Sequence, residues 1–345
     1  MQQEIKVEQL FEEMQERILL DVRTPAEFDK GHIPGAINFP LFTNEERVEV
    51  GTVYKQESPE KALLLGLDLV GSKMSVFVRE AGEIAPNRQL LIHCWRGGKR
   101  SESMGWLLDL AGFDVKILHG GYKAYRNYVL QAFTRLKPRL MVLGGYTGTG
   151  KTDILKALMD KGEAILDLED LANHKGSSFG ALGEAPQPSV EHFENILLTT
   201  LVNLPQDRLI WVEDESRSIG RVYLPTPFWD YFQTTPLIHL EMHLQDRVLR
   251  LVEEYGRFPI DYLKEAFQRI KKRLGGQNLK MAMEALDQGD LEAAATIALK
   301  YYDKAYDLSL KKRSDELVQR LKIMEDNPEI IAQELLNMVY HGNAH

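Results

Sequence analysis

The chain has 345 residues, of which 44% are hydrophobic and 27% charged, and its formal net charge is −9 at pH 7. These values are ordinary for a soluble globular protein of about two domains, and the negative charge argues against a histone-like, DNA-coating protein. No apolar run approaches the ~20 residues that span a bilayer, and the acidic, amphipathic N-terminus is unlike a secretory signal or a transit peptide. The single cysteine excludes an intramolecular disulfide. We therefore expect a cytoplasmic location, with neither membrane nor DNA as a partner.

The first third of the chain combines short apolar strands with helices. Buried strands are predicted, from their nearly continuous apolar residues, at 17–23, 89–94 and 114–120. A mostly helical insertion, at about 44–86, separates the first strand from the second. The periodicity breaks at Arg135–Pro138, so we predict a first domain over residues 1–137.

The following hundred residues alternate strand and helix. An apolar strand begins at Leu140 and a helix follows at 151–161. The later elements are predicted as strands at 163–169, 208–215 and 236–242 and a helix near 189–203. This alternation is typical of a parallel sheet covered by helices on both faces. We predict an α/β domain over 138–243, followed by a helical C-terminal extension over 244–345 that packs on it.

Residues 145–152, GYTGTGKT, fit the pattern G-x-x-x-x-G-K-[ST] of a phosphate-binding loop between a strand and a helix. Glycines let backbone N–H groups point at an anion, and the helix start adds partial positive charge. The predicted ligands of a phosphate or diphosphate are Gly145, Thr147, Gly148, Thr149, Gly150, Lys151 and Thr152. Thr152 would hold Mg²⁺ if a nucleotide is bound. Neither a guanine-reading N-K-x-D motif nor a mark of an adenine pocket is present, so the phosphate compound stays undefined.

The predicted strand at 208–215 ends in an acidic segment. Glu213, Asp214 and Glu215 could hold a metal or orient a nucleophile, or they could form a solvated acidic loop. Asp214, Arg217 and Arg221 are candidates to assist a bound diphosphate.

Other segments allow two interpretations. The aromatic run PFWDYF, 227–232, is either a slot for an apolar ligand or part of the core, and the core is favoured. The basic clusters 271–273 and 311–313 are solvated helix faces or RNA contacts, and the solvated faces are favoured. Tyr302 and Tyr306 share one face of a predicted helix, and we assign no chemistry to them.

The only cysteine, Cys94, lies in the stretch HCWRGGKR at 93–100, between an apolar strand and a helix-like segment. Backbone amides at a helix N-terminus and nearby cations favour the thiolate and should lower the thiol pKa below its ordinary ~8.5. The predicted cradle for an anion on this sulfur consists of Trp95, Arg96, Gly97, Gly98, Lys99 and Arg100. The pattern H-C-x5-R is typical of cysteine phosphatases, and C-x-x-G is typical of rhodanese-type sulfur carriers. An inert structural cysteine would more often lie on an apolar face.

The flanking sequence is similar to the rhodanese-like family. Residues 19–40 resemble its first signature, through Asp21, Arg23, Glu27, Phe28, Gly31, His32, Ile33, Pro34, Gly35 and Ala36. Residues 110–126 resemble the second, with Gly120 and Gly121 before an aromatic residue. We expect most of these residues to support the fold. Together with the phosphate loop, the whole chain resembles the tRNA 2-selenouridine synthases, in the stretches 46–66, 93–104, 144–155 and 212–221.

This resemblance implies a two-step exchange on a wobble 5-methylaminomethyl-type 2-thiouridine in the tRNA anticodon loop. Geranyl diphosphate first alkylates the sulfur, and selenium from selenophosphate then replaces the geranylated sulfur. Cys94 would carry selenium as an anionic Cys–Se group, and the phosphate loop would stabilise the departing diphosphate. The implied partners are tRNA and an enzyme that supplies selenophosphate. No tightly bound cofactor is expected, and a need for Mg²⁺ is left open.

Three alternatives stay open from the residues alone. The first is an ATP-dependent tRNA sulfurtransferase with the same persulfide-forming loop, although no tRNA-adenylating motif is recognisable. The second is an inert rhodanese fold that regulates a P-loop kinase. The third is a cysteine phosphatase.

Overall fold

The computed structural model describes residues 3–341 and divides the chain into two compact units. Residues up to Phe133, together with Glu194–Ile196, form the N-terminal unit. Thr134–Phe193 and the residues from Leu197 onward form the C-terminal unit. Both units are parallel α/β structures, which confirms the predicted fold class.

The N-terminal unit contains one parallel sheet. Its strands are β1 (Gln3–Ile5), β2 (Ile18–Asp21), β3 (Ile37–Asn38), β4 (Gln89–His93) and β5 (Asp114–Leu118). Their order in the sheet is β1-β5-β4-β2-β3, with parallel pairing throughout. The central strand β4 pairs on both sides, so all of its residues except Gln89 are buried. The loop that follows a central parallel strand is a favoured place for a binding or catalytic site.

Helices cover this sheet. They are α1 (Leu10–Glu13), α2 (Pro25–Lys30), α3 (Asn44–Gln56), α4 (Pro59–Gly71), α5 (Met74–Ile84), α6 (Lys99–Leu110) and α7 (Gly121–Arg135). The predicted helical insertion thus consists of α3, α4 and α5. Thr43 caps α3 and accepts a hydrogen bond from the Glu46 backbone, while the Glu46 side chain accepts one from the Thr43 backbone. Apolar side chains of α5 and α6, among them Phe77 and Met104, pack against β2 and β4 to form the core.

The C-terminal unit contains a second parallel sheet and a small hairpin. The sheet strands are β6 (Leu140–Gly145), β7 (Ala164–Leu166), β8 (Ile210–Glu213), β11 (Leu237–Glu241) and β12 (Val318–Lys322), and the hairpin strands are β9 (Ser218–Ile219) and β10 (Val222–Tyr223). The sheet order is β12-β11-β6-β8-β7, so β6 is central and the phosphate loop leaves its carboxyl end.

Its helices are α8 (Lys151–Asp160), α9 (Leu168–Ala172), α10 (Val190–Asn203), α11 (Thr226–Phe232), α12 (Leu244–Tyr255), α13 (Ile260–Arg269), α14 (Lys271–Leu274), α15 (Gly276–Asp287), α16 (Leu291–Leu310) and α17 (Pro328–Tyr340). Residues 244–341 are mostly helical, as predicted, but they also supply strand β12. Helices α13, α15 and α16 enclose a second apolar core of their own. No helix within residues 3–341 is long and apolar enough to cross a membrane.

Candidate active sites in the two units

Cys94 follows β4 directly and lies below the N-terminus of α6. Its side chain is buried, with 4% exposed, and contacts the apolar core of the N-terminal unit. The sulfur is nevertheless in a polar environment, because the Gly98 N–H donates to Sγ at 3.4 Å and the Ser101 hydroxyl donates at 3.3 Å. Burial alone would raise the pKa of the Cys94 thiol, but these hydrogen bonds outweigh burial and lower it. The direction of this shift agrees with the expectation from the sequence.

The shape of the cysteine loop depends on glycines in two segments. Gly97 has a φ of +68° and Gly121 a φ of +59°, a region that side chains with a Cβ rarely adopt. A Cβ atom at Gly121 would lie 2.3 Å from the Cys94 carbonyl oxygen. The Tyr122 N–H donates to that same oxygen at 2.9 Å. The turn before α7 therefore clamps the backbone of the cysteine loop, which explains why both segments carry glycine.

The three cations near Cys94 lie in different environments. Arg100 is largely buried and forms a bidentate ion pair with Glu27, at 2.6 and 3.1 Å. The Lys99 side chain is 85% exposed and lies 3.7 Å from Glu102, and Arg96 is exposed. Arg100 is thus fixed by Glu27, whereas Arg96 and Lys99 have their charges at the surface. Trp95 is also partly exposed, and its ring packs against Tyr122.

Asp21 and Arg23 of the first signature form a buried cluster with His93. Arg23 donates to the Asp21 carboxylate at 2.6 to 3.0 Å and to the Gly31 carbonyl at 2.8 Å. Its guanidinium lies 3.8 Å from the centre of the Tyr122 ring. His93 is fully buried, and burial lowers its pKa, so the imidazole is neutral. These contacts connect β2, α2 and α7 below the cysteine loop and agree with the expected structural role.

The phosphate loop connects β6 to α8. Gly148 and Gly150 have φ values of +84° and +73°, so the glycine spacing matches the backbone that the loop needs. The Lys151 ammonium donates to the Gly145 carbonyl at 3.1 Å and is held over the loop. Thr149 is buried, and its hydroxyl donates to the Tyr146 carbonyl at 2.8 Å. The loop therefore has the strand–turn–helix setting that phosphate binding requires.

Helix α12 lies against this loop. A Cβ at Gly148 would lie 2.9 Å from the Arg247 carbonyl oxygen, and one at Gly150 would lie 2.7 Å from the Arg250 guanidinium. Arg247 pairs with Asp303 at 2.8 Å, and Arg250 pairs with Asp153 at 2.9 Å. At Gly148, glycine is therefore required for close packing as well as for φ, whereas at Gly150 the end of the Arg250 side chain could move aside. The sequence did not indicate that these arginines contact the phosphate loop, because α12 begins about a hundred residues after it.

Acidic residues crowd the adjacent strand end. Glu213 is buried at the end of β8 and accepts a hydrogen bond from the Glu169 N–H at 2.7 Å. Burial, together with the carboxylates of Asp167 and Glu169, raises the pKa of Glu213 well above its ordinary value. The Thr152 hydroxyl lies 3.5 Å from a Glu169 carboxylate oxygen, so these two side chains could supply oxygen ligands to a cation. Within residues 3–341, however, no group of three or more His, Cys, Asp or Glu is arranged to hold a metal.

The three residues that were predicted to assist a bound diphosphate, Asp214, Arg217 and Arg221, contact different partners. Asp214 forms an ion pair with Arg313 at 3.1 Å, and burial raises its pKa although Arg313 opposes the shift. Arg217 and Arg221 are exposed next to the β9–β10 hairpin. The Arg217 side chain donates to the Thr226 hydroxyl at 2.7 Å, and the Arg221 backbone donates to Gln187. Arg313, from the basic cluster 311–313, is itself 7% exposed and is not a solvated residue.

Helix α16 supplies residues whose role the sequence did not reveal. The Tyr306 hydroxyl donates to the Asp214 carbonyl at 2.8 Å, and its ring lies 5.6 Å from the Lys151 ammonium. The Tyr146 hydroxyl in the phosphate loop donates to Asp307 at 2.6 Å. The only signal in the sequence was the spacing of aromatic and acidic residues on one helical face. The run PFWDYF belongs to the core, since Phe228 and Phe232 are buried.

Two family models match the chain. One, described as the tRNA 2-selenouridine synthase AAA domain, matches residues 138–333. The other, the rhodanese-like domain, matches residues 6–128 and contains Cys94. The first match covers more than half of the chain, and the two together include both candidate sites.

Curated relatives named tRNA 2-selenouridine synthase align over most of the chain. The relative from a Sulfurovum species is 37% identical over 340 residues, which cover 88% of this chain and 91% of the relative. The relative from Shewanella denitrificans is 36% identical over 343 residues, with the same coverage. The relative from Marinobacter nauticus is 35% identical over 351 residues, which cover 91% of this chain and 93% of the relative. Since these relatives are 35–37% identical to the chain over about nine-tenths of their length, the chain belongs to the tRNA 2-selenouridine synthase family.

Proposed function

We propose that this protein converts a wobble 5-methylaminomethyl-type 2-thiouridine of tRNA to the 2-selenouridine, in two steps that use two different loops. The observation that carries the proposal is the presence, in one chain of this family, of a cysteine thiol that accepts hydrogen bonds from Gly98 and Ser101 and of a formed phosphate loop around Lys151. The first site suits chalcogen transfer and the second suits a diphosphate leaving group. A wobble base lies in a single-stranded loop, so it can leave its stack at modest cost.

The first step is alkylation of the thiocarbonyl sulfur by geranyl diphosphate. A bond forms between sulfur and C1 of the geranyl group, while the C1–oxygen bond breaks and its electron pair leaves with diphosphate. The base loses its N3 proton to a base or to water. The Gly145–Thr152 loop stabilises the departing diphosphate through backbone N–H groups and the Lys151 ammonium. This step is needed because thiocarbonyl sulfur is a poor leaving group, whereas an alkylated sulfur leaves as a thiolate.

The second step exchanges sulfur for selenium at C2 of the base. A C2–selenium bond forms, the C2–sulfur bond breaks, and geranylthiolate leaves. Selenophosphate holds its selenium at the selenide level, so loading it on Cys94 as an anionic Sγ–selenium group would require a two-electron oxidant. We propose the balanced exchange in which the Cys94 thiolate first displaces geranylthiolate at C2, and the selenium of selenophosphate then attacks C2 and displaces the Cys94 thiolate. Water cleaves the selenium–phosphorus bond, phosphate leaves, and N3 regains its proton. The donors Gly98 and Ser101 stabilise the Cys94 thiolate that is regenerated.

The direct test is to incubate the full-length protein with geranyl diphosphate and 2-thiouridine tRNA in the absence of ATP. Mass spectrometry of the digested tRNA should then show a wobble base that carries a ten-carbon terpene. Addition of selenophosphate should convert this base to the 2-selenouridine. If alkylation fails without ATP and a base modification appears when ATP is added, the ATP-dependent sulfurtransferase is the better explanation.

A further inference from the structure

The C-terminal unit contains an apolar cavity next to the phosphate loop. Helices α12, α13, α15 and α16 form its walls, and the space between them, counted together with the adjoining open solvent, is about 520 Å³. Residues that line it include Leu251, Phe267, Leu286 and Ala295. None of its lining residues is charged. A site of this kind suits a hydrocarbon group.

Small residues of α16 create the space. Ala294, Ala295 and Ala298 face the cavity, and Tyr302 lies one turn further along the same helix. From Ala294 to Tyr302 the helix rises about 12 Å, at 1.5 Å per residue. This length accommodates the eight-carbon main chain of a geranyl group. Larger residues at the alanine positions would fill the cavity from one side.

The cavity is continuous with the phosphate loop. Thr147 belongs to the loop and also lines the cavity. Its carbonyl oxygen accepts a hydrogen bond from Arg247 at 3.3 Å, and Arg247 is fixed in turn by Asp303 of α16. The loop that would bind a diphosphate and the apolar space therefore share Thr147. We propose that this cavity binds the terpene chain of geranyl diphosphate, an assignment that rests on the function proposed above.

The cavity fits a nucleotide base less well. Its polar side chains are those of Thr147, Ser177, Tyr255 and Tyr302. The Tyr302 hydroxyl is already engaged by the Ser178 backbone N–H and hydroxyl, at 3.0 and 2.5 Å. The ring nitrogens and amino group of a base buried against this lining would lack partners, at a cost of about 1–3 kcal/mol each. A hydrocarbon chain incurs no such cost.

The variant Ala295→Phe tests the assignment, because it places a ring in the cavity at a half-buried position. In the full-length protein, kcat/KM for tRNA alkylation by geranyl diphosphate should fall at least tenfold. With the five-carbon dimethylallyl diphosphate it should change less than threefold, and the affinity for inorganic diphosphate, measured by calorimetry, should stay within twofold. The matched control is Ala305→Phe, at an exposed position of the same helix, which should leave all three values unchanged.

A second variant changes the cavity in the opposite direction. Leu251→Ala enlarges it and should raise the ratio of kcat/KM for the fifteen-carbon farnesyl diphosphate to that for geranyl diphosphate. The inference is overturned if the wild type geranylates tRNA and neither variant changes the chain-length preference. It is also overturned if Ala295→Phe reduces turnover of geranyl and dimethylallyl diphosphate equally. If the wild type does not geranylate tRNA at all, the proposed function itself fails, which is a distinct result.

Discussion

Cys94 combines two features that usually exclude each other in a cysteine. Its side chain packs in the core of the N-terminal unit, where burial favours the neutral thiol. Hydrogen bonds from Ser101, Arg96 and Gly98 outweigh the effect of burial and lower the pKa of the Cys94 thiol. The reactive form is therefore prepared by a few short-range hydrogen bonds. The surface cations Arg96 and Lys99 remain available for an approaching anion.

The variant Ser101→Ala measures how much one of these donors contributes. Without the hydroxyl at 3.3 Å, the pKa of Cys94 should rise, and the thiolate should form at higher pH than in the wild type. A hydrogen bond to a charged group contributes about 1.5 kcal/mol or more, so the shift should be about one pH unit. The ultraviolet absorbance of the thiolate reports this titration, and Cys94→Ser provides the blank because the chain has no other cysteine.

Ser103→Ala is the matched control for that experiment. Ser103 lies on the same helix but is exposed, so its removal should leave the titration unchanged. Equal titration curves for Ser101→Ala and the wild type would show that the hydroxyl does not stabilise the thiolate. Selenation by Ser101→Ala should recover as the pH is raised, in parallel with the thiolate fraction.

At the scale of the secondary-structure elements, the cysteine loop and the phosphate loop each follow a central parallel strand and lead into a helix. Each loop is also contacted by a segment that is distant in sequence. The turn before α7 holds the cysteine loop through Gly121 and Tyr122. Helix α12 holds the phosphate loop through Arg247 and Arg250. Each loop thus depends on an element that is not its sequence neighbour.

The variant Gly121→Ala tests the first of these supports. Its Cβ would be strained by the positive φ and would collide with the Cys94 carbonyl, so both the turn and the loop must shift. The free energy of unfolding should fall by about 2 kcal/mol or more, since a left-handed residue with a Cβ alone costs roughly 1–2 kcal/mol. Urea unfolding followed by circular dichroism measures the change.

Gly82→Ala is the control. It is the same substitution, but it should raise the free energy of unfolding instead of lowering it. Gly82 lies within α5, and a Cβ there meets no atom within 4 Å. Alanine is the better helix former, so this variant should gain about 0.5–1 kcal/mol. If Gly121→Ala lowers the free energy of unfolding by no more than the amount by which Gly82→Ala changes it, the close contact of Gly121 with the Cys94 carbonyl is not important for stability.

At the scale of the whole molecule, the proposal assigns two reactions to two units. Under the proposed function, alkylation would depend on the phosphate loop of the C-terminal unit, and selenium transfer would depend on the cysteine loop of the N-terminal unit. The two reactions should therefore be separable by mutation. An inert rhodanese fold that regulates a kinase predicts no such separation.

Cys94→Ala and Lys151→Ala should show complementary losses. With 2-thiouridine tRNA and geranyl diphosphate, Cys94→Ala should geranylate normally, and Lys151→Ala should be at least a hundredfold slower. With tRNA that is already geranylated and with selenophosphate, Lys151→Ala should selenate normally and Cys94→Ala should give no 2-selenouridine. Lys156→Ala, an exposed position on the same helix as Lys151, is the control and should be active in both reactions. Loss of both activities in both variants would contradict the two-site proposal.

The two parallel α/β architectures and the two loops were predictable from the amino-acid sequence. These features are encoded locally, because apolar periodicity specifies strands and helices, and the spacing of glycines specifies a backbone that can surround an anion. The sequence also indicated the helical insertion, which the structure resolves as α3, α4 and α5. The sequence did not predict strand β12. It is an edge strand with charged residues such as Arg320 and Lys322, so it lacks an apolar run.

The residues that complete each site from distant parts of the chain could be identified only in the folded structure. Arg313 and Tyr306 reach Asp214 from almost a hundred residues away, and Arg247 reaches Thr147 from a similar distance in sequence. The folded structure also placed the aromatic run at 227–232 in the core and showed the apolar cavity in another set of helices. Periodicity in the sequence shows which face of a helix is apolar, but it does not show which other element of the chain packs against that face. The partner depends on how the helices pack in space, which local sequence patterns do not specify.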